Sequence, residues 1–115
     1  MKRGTIVLTP FPFTNLRGSK VRPAVIVSPM ERAGDDVILA FISSSVNERK
    51  LQSTDILLRQ SDPHFELTGL KVDSVLKLAK LVTVDVDILV GELGEIPPPL
   101  IKRLDHGLSI ALGLE

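Results

Sequence analysis

The chain lacks cysteine, tryptophan and tyrosine entirely, and four phenylalanines are its only large aromatic residues. Without cysteine it forms no disulfide and no thiolate metal site, which fits a reducing compartment. With so few rings, burial must come from Val, Ile and Leu. The same scarcity disfavours a module that docks proline-rich peptides, because aromatic side chains line such grooves.

The chain also lacks net charge, since 14 Lys and Arg residues balance 14 Asp and Glu residues. Any polyanionic partner must therefore be held by a local patch. No apolar run is long enough to span a bilayer. The basic start resembles a signal peptide only briefly, because Pro10 and Pro12 interrupt the apolar stretch. We expect a cytoplasmic protein without a membrane partner, and the length of 115 residues predicts a single domain over residues 1–115.

Short apolar runs between turn residues predict five to seven strands. The predicted strands are Thr5–Thr9, Ala24–Ser28, Val37–Ile42, Thr54–Leu58, Ser74–Leu81 with its continuation Val82–Val84, and Ile88–Val90. After three prolines, apolar residues recur at helical spacing. They are Leu100, Leu104, Leu108, Ala111 and Leu112. The pattern predicts a mainly β fold, a small β-barrel with a C-terminal amphipathic helix.

The long strand from Ser74 to Leu81 alternates in character. Simple alternation assigns its residues to two faces. Val75, Lys77, Ala79 and Leu81 share one face, and Ser74, Leu76, Leu78 and Lys80 share the other.

Arg22 is the first candidate for chemistry. It lies where a polar loop becomes a strand, and Pro23 holds its backbone extended. A permanently charged, fork-shaped donor on a fixed stem suits a phosphate group. A solvated arginine beside a strand explains the pattern equally well.

Other cations lie at strand ends and loop edges, and serine hydroxyls follow the apolar third strand. These residues are Arg17, Lys20, Lys71, Lys77, Lys80, Ser43 and Ser44. Closure of the sheet would bring Ser43 near Arg22. Cations and hydroxyls without a metal suit phosphate binding, or phosphodiester transfer that uses the 2′-hydroxyl of RNA. Against this, serines at strand ends are commonly turn residues that satisfy the backbone.

Two classes of site are not indicated by the sequence. His64 and His106 have no carboxylate or second histidine at a useful spacing, so we expect both to be exposed and without a catalytic role. No cluster of metal ligands and no glycine-rich phosphate loop is present, and we expect no cofactor.

Several segments together resemble the MazF/PemK-like toxin family, nearly end to end and in the expected order. They are G-x-I-V-L-x-P-F-P-F-T (Gly4 to Thr14), G-S-K-V-R-P-A-V-I-V-S (Gly18 to Ser28), V-I-L-A-F-I-S-S (Val37 to Ser44) and G-L-K-V-D-S-V-L-K-L-A-K-L-V-T-V (Gly69 to Val84). The G-S-K-V-R-P-A block is the most specific of them. The resemblance implies an SH3-like barrel that forms a homodimer and acts as the toxin of a type II toxin–antitoxin pair.

The resemblance also implies a metal-independent endoribonuclease that leaves a 2′,3′-cyclic phosphate and a 5′-hydroxyl on single-stranded RNA. By its motifs, Arg22 and Ser43 are the catalytic residues. Substrate contacts are expected from Arg17, Lys20, Ser44, Asp73 and Lys77, with the Thr14–Lys20 loop beside the RNA groove. The implied protein partner is an antitoxin with a disordered acidic segment.

One position departs from the family pattern. Several members have an acidic residue where this chain has Ala79, so the general base is open, with Asp73 a nearby substitute. The alternative is therefore a non-catalytic protein on the same barrel. It would be either a gyrase-poison-like toxin that works through its C-terminal helix or a protein that binds RNA without cleavage.

Overall fold

The computed structural model describes residues 1–10, 20–30 and 35–115. Within these ranges the chain forms six strands, one α-helix and four short 3₁₀ turns. The strands are β1 (Thr5–Pro10), β2 (Val21–Ile26), β3 (Asp36–Ser43), β4 (Asp55–Leu58), β5 (Ser74–Asp85) and β6 (Gly91–Glu95), and the helix is α1 (Ile101–Ala111). The 3₁₀ turns are Glu48–Lys50, Phe65–Thr68, Val86–Ile88 and Pro98–Leu100.

All six strands belong to one antiparallel sheet in the order β4-β5-β3-β2-β1-β6. The sheet curls into a half-barrel whose edge strands are β4 and β6. A mainly β fold with one C-terminal helix is therefore confirmed. In the described ranges, no helix has the length and apolar character needed to cross a bilayer.

Apolar side chains pack on both faces of the sheet. On one face, Leu76 and Leu78 of β5 join Leu104 of α1 in the larger cluster, which we call the helix-covered core. On the other face, Ala24 and Phe41 join a smaller cluster, the second core. The alternation of side chains along β2 and β3 supplies both clusters from the same strands.

Helix α1 follows the three prolines, as predicted, and Leu104 is fully buried beneath it. Gly107 lets the helix approach the sheet, because a Cβ atom there would lie 2.3 Å from Cδ1 of Leu78. The predicted apolar stripe wrongly includes Leu112. The helix ends at Ala111, and the Leu112 side chain is 60% exposed.

Strand β5 contains a large irregularity. Lys77 pairs with Phe41, whereas Leu81 pairs with the adjacent residue Ala40. The residues between them, Leu78, Ala79 and Lys80, consequently have no partner on β3. The predicted alternation is wrong beyond this point, because Leu81 packs against the same helix-covered core as Leu76 and Leu78. Such inserted residues bend a strand and increase its twist.

The last predicted strand is displaced. Residues Val86–Ile88 form a 3₁₀ turn, and the side chain of Asp85 accepts a hydrogen bond from the N–H of Asp87 at 2.8 Å. Pairing with β1 as strand β6 therefore begins at Gly91, rather than over Ile88–Val90.

Candidate nucleic-acid groove

A groove of about 420 Å³ opens where β2, β3 and β5 meet the loop before β5. It lies on the face of the sheet away from α1, because Lys77 pairs with Phe41 of the second core. Its lining consists of Arg22, Pro23, Phe41, Ile42, Ser43, Ser44, Ser45, Leu70, Lys71, Val72, Ser74, Lys77 and Lys80.

The opening coincides with a proline. The pairing of β2 with β3 runs from Ile26 to Ala24 and stops before Pro23. Proline has no N–H to donate to a neighbouring strand, so a ladder naturally ends beside it. On its other side β2 remains paired with β1 through Arg22 and Val21. The start of β2 is thus fixed on one side and open on the side of the groove.

Arg22 lies at this open end. Ala24 pairs with Phe41, so Arg22 and Ser43, each two residues further toward that end, project from the same face. Arg22 is exposed, and its guanidinium makes no hydrogen bond or ion pair to any described residue. Its backbone pairs with Thr9 of β1. A free guanidinium on a fixed strand is available to an external anion.

Ser43 ends β3 with a local turn. Its Oγ accepts a hydrogen bond from the N–H of Ser45 at 3.1 Å, which holds the side chain at the strand end. A hydroxyl that accepts one bond still has its own O–H to donate. Ser44 is exposed and also lines the groove.

The loop that carries Lys71 is held from one side by Gln60. The Gln60 side-chain amide donates to the carbonyl of Lys71 at 2.8 Å, and the Gln60 N–H donates to Oδ1 of Asp73 at 2.7 Å. Asp73 thus lies beside the groove but not in its lining. The two bonds fix the loop backbone and place Lys71 at the groove wall.

Two further lysines come from β5. Lys77 lies directly opposite Asp55 of β4, and its Nζ is 3.8 Å from Oδ2 of that buried carboxylate. Lys80 lines the same groove although it is three residues away. In a regular strand that spacing would place the two lysines on opposite faces. The irregularity in β5 brings both to one groove.

Among the described residues, the lining carries four cations, from Arg22, Lys71, Lys77 and Lys80, and no Asp or Glu. On a chain with no net charge, this is the local patch that a polyanion needs. Among residues 1–10, 20–30 and 35–115, no group of three His, Asp or Glu residues is arranged to bind a metal ion.

The fold brings Arg22, Ser43, Ser44 and Lys77 to one groove, and their roles stay predictions. Lys20 is exposed and outside the lining, as is Asp73. Arg17 and residues 14–19 of the predicted RNA-bordering loop lie outside the described residues.

Neither histidine lines the groove. His106 is exposed, but it does have a carboxylate neighbour, because its Nδ1 lies 3.1 Å from Glu115. The spacing in the sequence did not predict this contact, because residues 112–115 turn back after the helix ends, through Gly113 at φ 72°.

Sequence reasoning named Lys71 and Lys80 only as scattered cations and overlooked Asp55. The sequence did contain a signal for Asp55. It is the one charged residue of strand β4, and the residues that follow it, Ile56 and Leu57, are apolar. Its partner Lys77 is 22 residues away, and only the register of β4 against β5 joins them.

Comparison with solved structures finds the same fold at low sequence identity. A Mycobacterium tuberculosis toxin, MazF-mt6, has a TM-score of 0.73 at 18% identity, covering 96% of this chain and 98% of its own. An endoribonuclease from a mycobacterial species, in complex with its cognate antitoxin, has a TM-score of 0.70 at 24% identity, covering 100% and 97%. MazE-MazF from Deinococcus radiodurans has a TM-score of 0.69 at 18% identity, covering 98% and 96%.

Comparison with curated proteins gives no match. The family described as PemK-like, MazF-like toxin of type II toxin-antitoxin system matches residues 2–112. This range contains all six strands, the groove and helix α1. The chain therefore belongs to the PemK-like, MazF-like toxin family.

Proposed function

We propose that this protein is a cytoplasmic toxin that cleaves single-stranded RNA without a metal ion, leaving a 2′,3′-cyclic phosphate and a 5′-hydroxyl. Endoribonuclease activity is expected for the family. The observation that carries the proposal is the groove itself. Its described lining joins a serine hydroxyl, three lysines and a guanidinium that is not paired with any described residue, and it contains no carboxylate.

In the proposed reaction, the 2′-oxygen of RNA attacks the adjacent phosphorus, and the bond from phosphorus to the 5′-oxygen breaks. Arg22 donates to the oxygens that gain charge in the phosphorane, and Ser43 donates one further hydrogen bond to the scissile phosphate. Lys71, Lys77 and Lys80 hold neighbouring phosphates, which fixes the attacking and leaving oxygens in line.

The reaction must also move two protons. The 2′-hydroxyl loses one and the departing 5′-oxygen gains one. Ala79 has no titratable group, and among the described residues no carboxylate or imidazole lines the groove. In this proposal the 2′-hydroxyl proton passes to solvent water, and the 5′-oxygen is protonated from Arg22 or from water. Cleavage should then accelerate with pH through neutrality, whereas a plateau between pH 5 and 8 would indicate a side-chain base.

The test uses the intact protein and an end-labelled single-stranded RNA in excess chelator. We expect cleavage, products ending in a 2′,3′-cyclic phosphate, and no cleavage of the same sequence made as DNA or as 2′-O-methyl RNA. Loss of cleavage in chelator, or products with a 3′-hydroxyl, would contradict the proposed chemistry.

We further propose that the toxin is a symmetric homodimer, because a chain this small makes a long RNA groove more readily from two copies. Sedimentation at tens of micromolar protein should show the dimer. A monomer throughout that range would exclude it.

The proposed antitoxin contributes a disordered acidic segment that folds along the groove and covers Arg22. Two of the similar structures are described as complexes with an antitoxin or with MazE. Binding should weaken with salt, since local cations on a neutral protein provide the attraction. If the groove residues showed no change in hydrogen exchange on antitoxin binding, occlusion would be wrong.

A second candidate is RNA binding without cleavage, which the absence of a base from the described groove lining favours. It predicts tight, salt-sensitive binding of RNA and no cut product at any pH.

A further inference from the structure

Asp55 is a buried carboxylate on the strand next to Lys77, outside the groove lining. Its side chain is 5% exposed, whereas that of its partner Lys77 is 29% exposed and reaches the groove lining. The two residues face each other across β4 and β5, and Oδ2 of Asp55 is 3.8 Å from Nζ of Lys77. A buried carboxylate rarely persists without a fixed partner.

A second contact fixes the carboxylate itself. Oδ2 of Asp55 accepts a hydrogen bond from the N–H of Gln52 at 3.0 Å, in the turn that leads into β4. Asp55 is therefore anchored to backbone on one side and attracts a lysine on the other. The separation of 3.8 Å is too long for a hydrogen bond, so the ammonium keeps its N–H donors for another acceptor.

We propose that Asp55 is a positioning residue that holds the Lys77 ammonium toward the groove and partly cancels its charge. The inference rests on the proposed RNA substrate. A lysine side chain has many rotamers, and an anchored counter-charge restricts them before RNA arrives. The same counter-charge weakens the general attraction of Lys77 for any polyanion. The contribution of Lys77 to cleavage therefore depends more on correct placement of the phosphate.

This arrangement makes a prediction that a merely structural role for Asp55 does not make. Removing its charge should strengthen RNA binding, because the groove gains net positive charge. The same change should slow cleavage, because Lys77 is no longer held in place. Damage to the fold would instead weaken both.

The test variant is Asp55→Asn, whose amide oxygen still accepts from the Gln52 N–H. Its matched control is Asp62→Asn, since the Asp62 carboxylate accepts from the N–H of Arg59 with the same spacing and the same 3.0 Å distance. Asp62 is exposed, lies outside the groove and has no ion-pair partner among the described residues. Binding is measured with a 2′-O-methyl RNA, and cleavage in single turnover.

For Asp55→Asn we expect about threefold tighter binding, with the slope of log K against log salt steeper by about 0.7, the value for one more neutralised phosphate. The cleavage rate should fall by about five- to tenfold, and the Asp62→Asn control should match the parent in both. In a Lys77→Met background, Asp55→Asn should have no further effect on cleavage.

Weaker binding together with slower cleavage would overturn the inference, as would values equal to those of Asp62→Asn. If the parent cleaves no RNA, the proposed chemistry fails, but the binding measurement still decides the role of Asp55. Unchanged or weaker binding in Asp55→Asn would then reject it.

Discussion

Strand β5 serves two regions with opposite requirements. On one face Leu76 and Leu78 pack beneath α1 in the helix-covered core, and on the other Lys77 and Lys80 line the groove. The first region excludes water and has little freedom to change. The second keeps cations accessible, and surface charges contribute little to folding stability. Substitutions in the two regions should therefore separate stability from activity.

The sharpest separation is expected from Arg22→Ala. Loss of one donor to the phosphorane should cost about 2.7–4 kcal/mol of transition-state stabilisation, a hundred- to a thousandfold in rate. The free energy of unfolding should change by no more than about 1 kcal/mol, because the side chain is exposed. Single-turnover cleavage and chemical denaturation measure the two effects.

Two variants control the Arg22 experiment. Arg22→Lys should recover little activity, since an ammonium cannot make a planar two-pronged contact. Arg59→Ala removes an exposed arginine that pairs with Glu48 outside the groove, and it should cut RNA like the parent. Cleavage by Arg22→Ala at the parent rate would rule out the assigned role.

The reverse separation is expected from Leu104→Ala. This side chain is fully buried between α1 and the sheet, so its loss should lower the free energy of unfolding by about 3 kcal/mol. Cleavage at a temperature where the variant remains folded should stay within about threefold of the parent, since no groove contact changes. Leu112→Ala, at a largely exposed position, should alter stability by less than about 0.5 kcal/mol.

A smaller effect on activity is expected from Ser43→Ala. One hydrogen bond to a charged phosphate contributes about 1.5 kcal/mol, so cleavage should slow by about tenfold. Ser43→Thr keeps the hydroxyl and should retain most of the rate. Equal rates for the alanine and threonine variants would show that the hydroxyl does not contact the scissile phosphate.

The smallest effect is expected from Lys80→Ala. If Lys80 contacts one phosphate, the slope of log K against log salt should become shallower by about 0.7. Lys50→Ala, in the exposed Glu48–Lys50 turn, should leave that slope unchanged. The measurement is binding of 2′-O-methyl RNA across a salt series. Identical slopes for both variants would exclude Lys80 from the binding surface.

Much of this structure could be predicted from local patterns in the sequence. Five of the six strands and the helix follow from short β-rich runs and a 3.6-residue period, because both depend on neighbours in the chain. The approach of Ser43 to Arg22 was also predictable, since a buried third strand pairs readily with the second. Pro23 marked the place where that pairing ends.

Other features depended on the register between distant segments, which no local pattern specifies. The pairing of Asp55 with Lys77, and the position of Lys80 in the same groove, both follow from how β5 aligns with its two neighbours. Asp73 looked like a substitute base from its place in the chain, yet its carboxylate accepts a backbone hydrogen bond from Gln60. Its role as a base stays a prediction.

The unpaired residues of β5 have a consequence for how this chain tolerates changes in length. Leu78, Ala79 and Lys80 form a segment between two paired stretches of the strand, and its length decides which face the later residues take. Deletion of Ala79 would keep both lysines. It would nevertheless turn either Lys80 or the later residues of β5 to the opposite face of the sheet. Loss of Ala79 should therefore change either the groove or the packing of the later part of β5, although every lysine of the chain is kept.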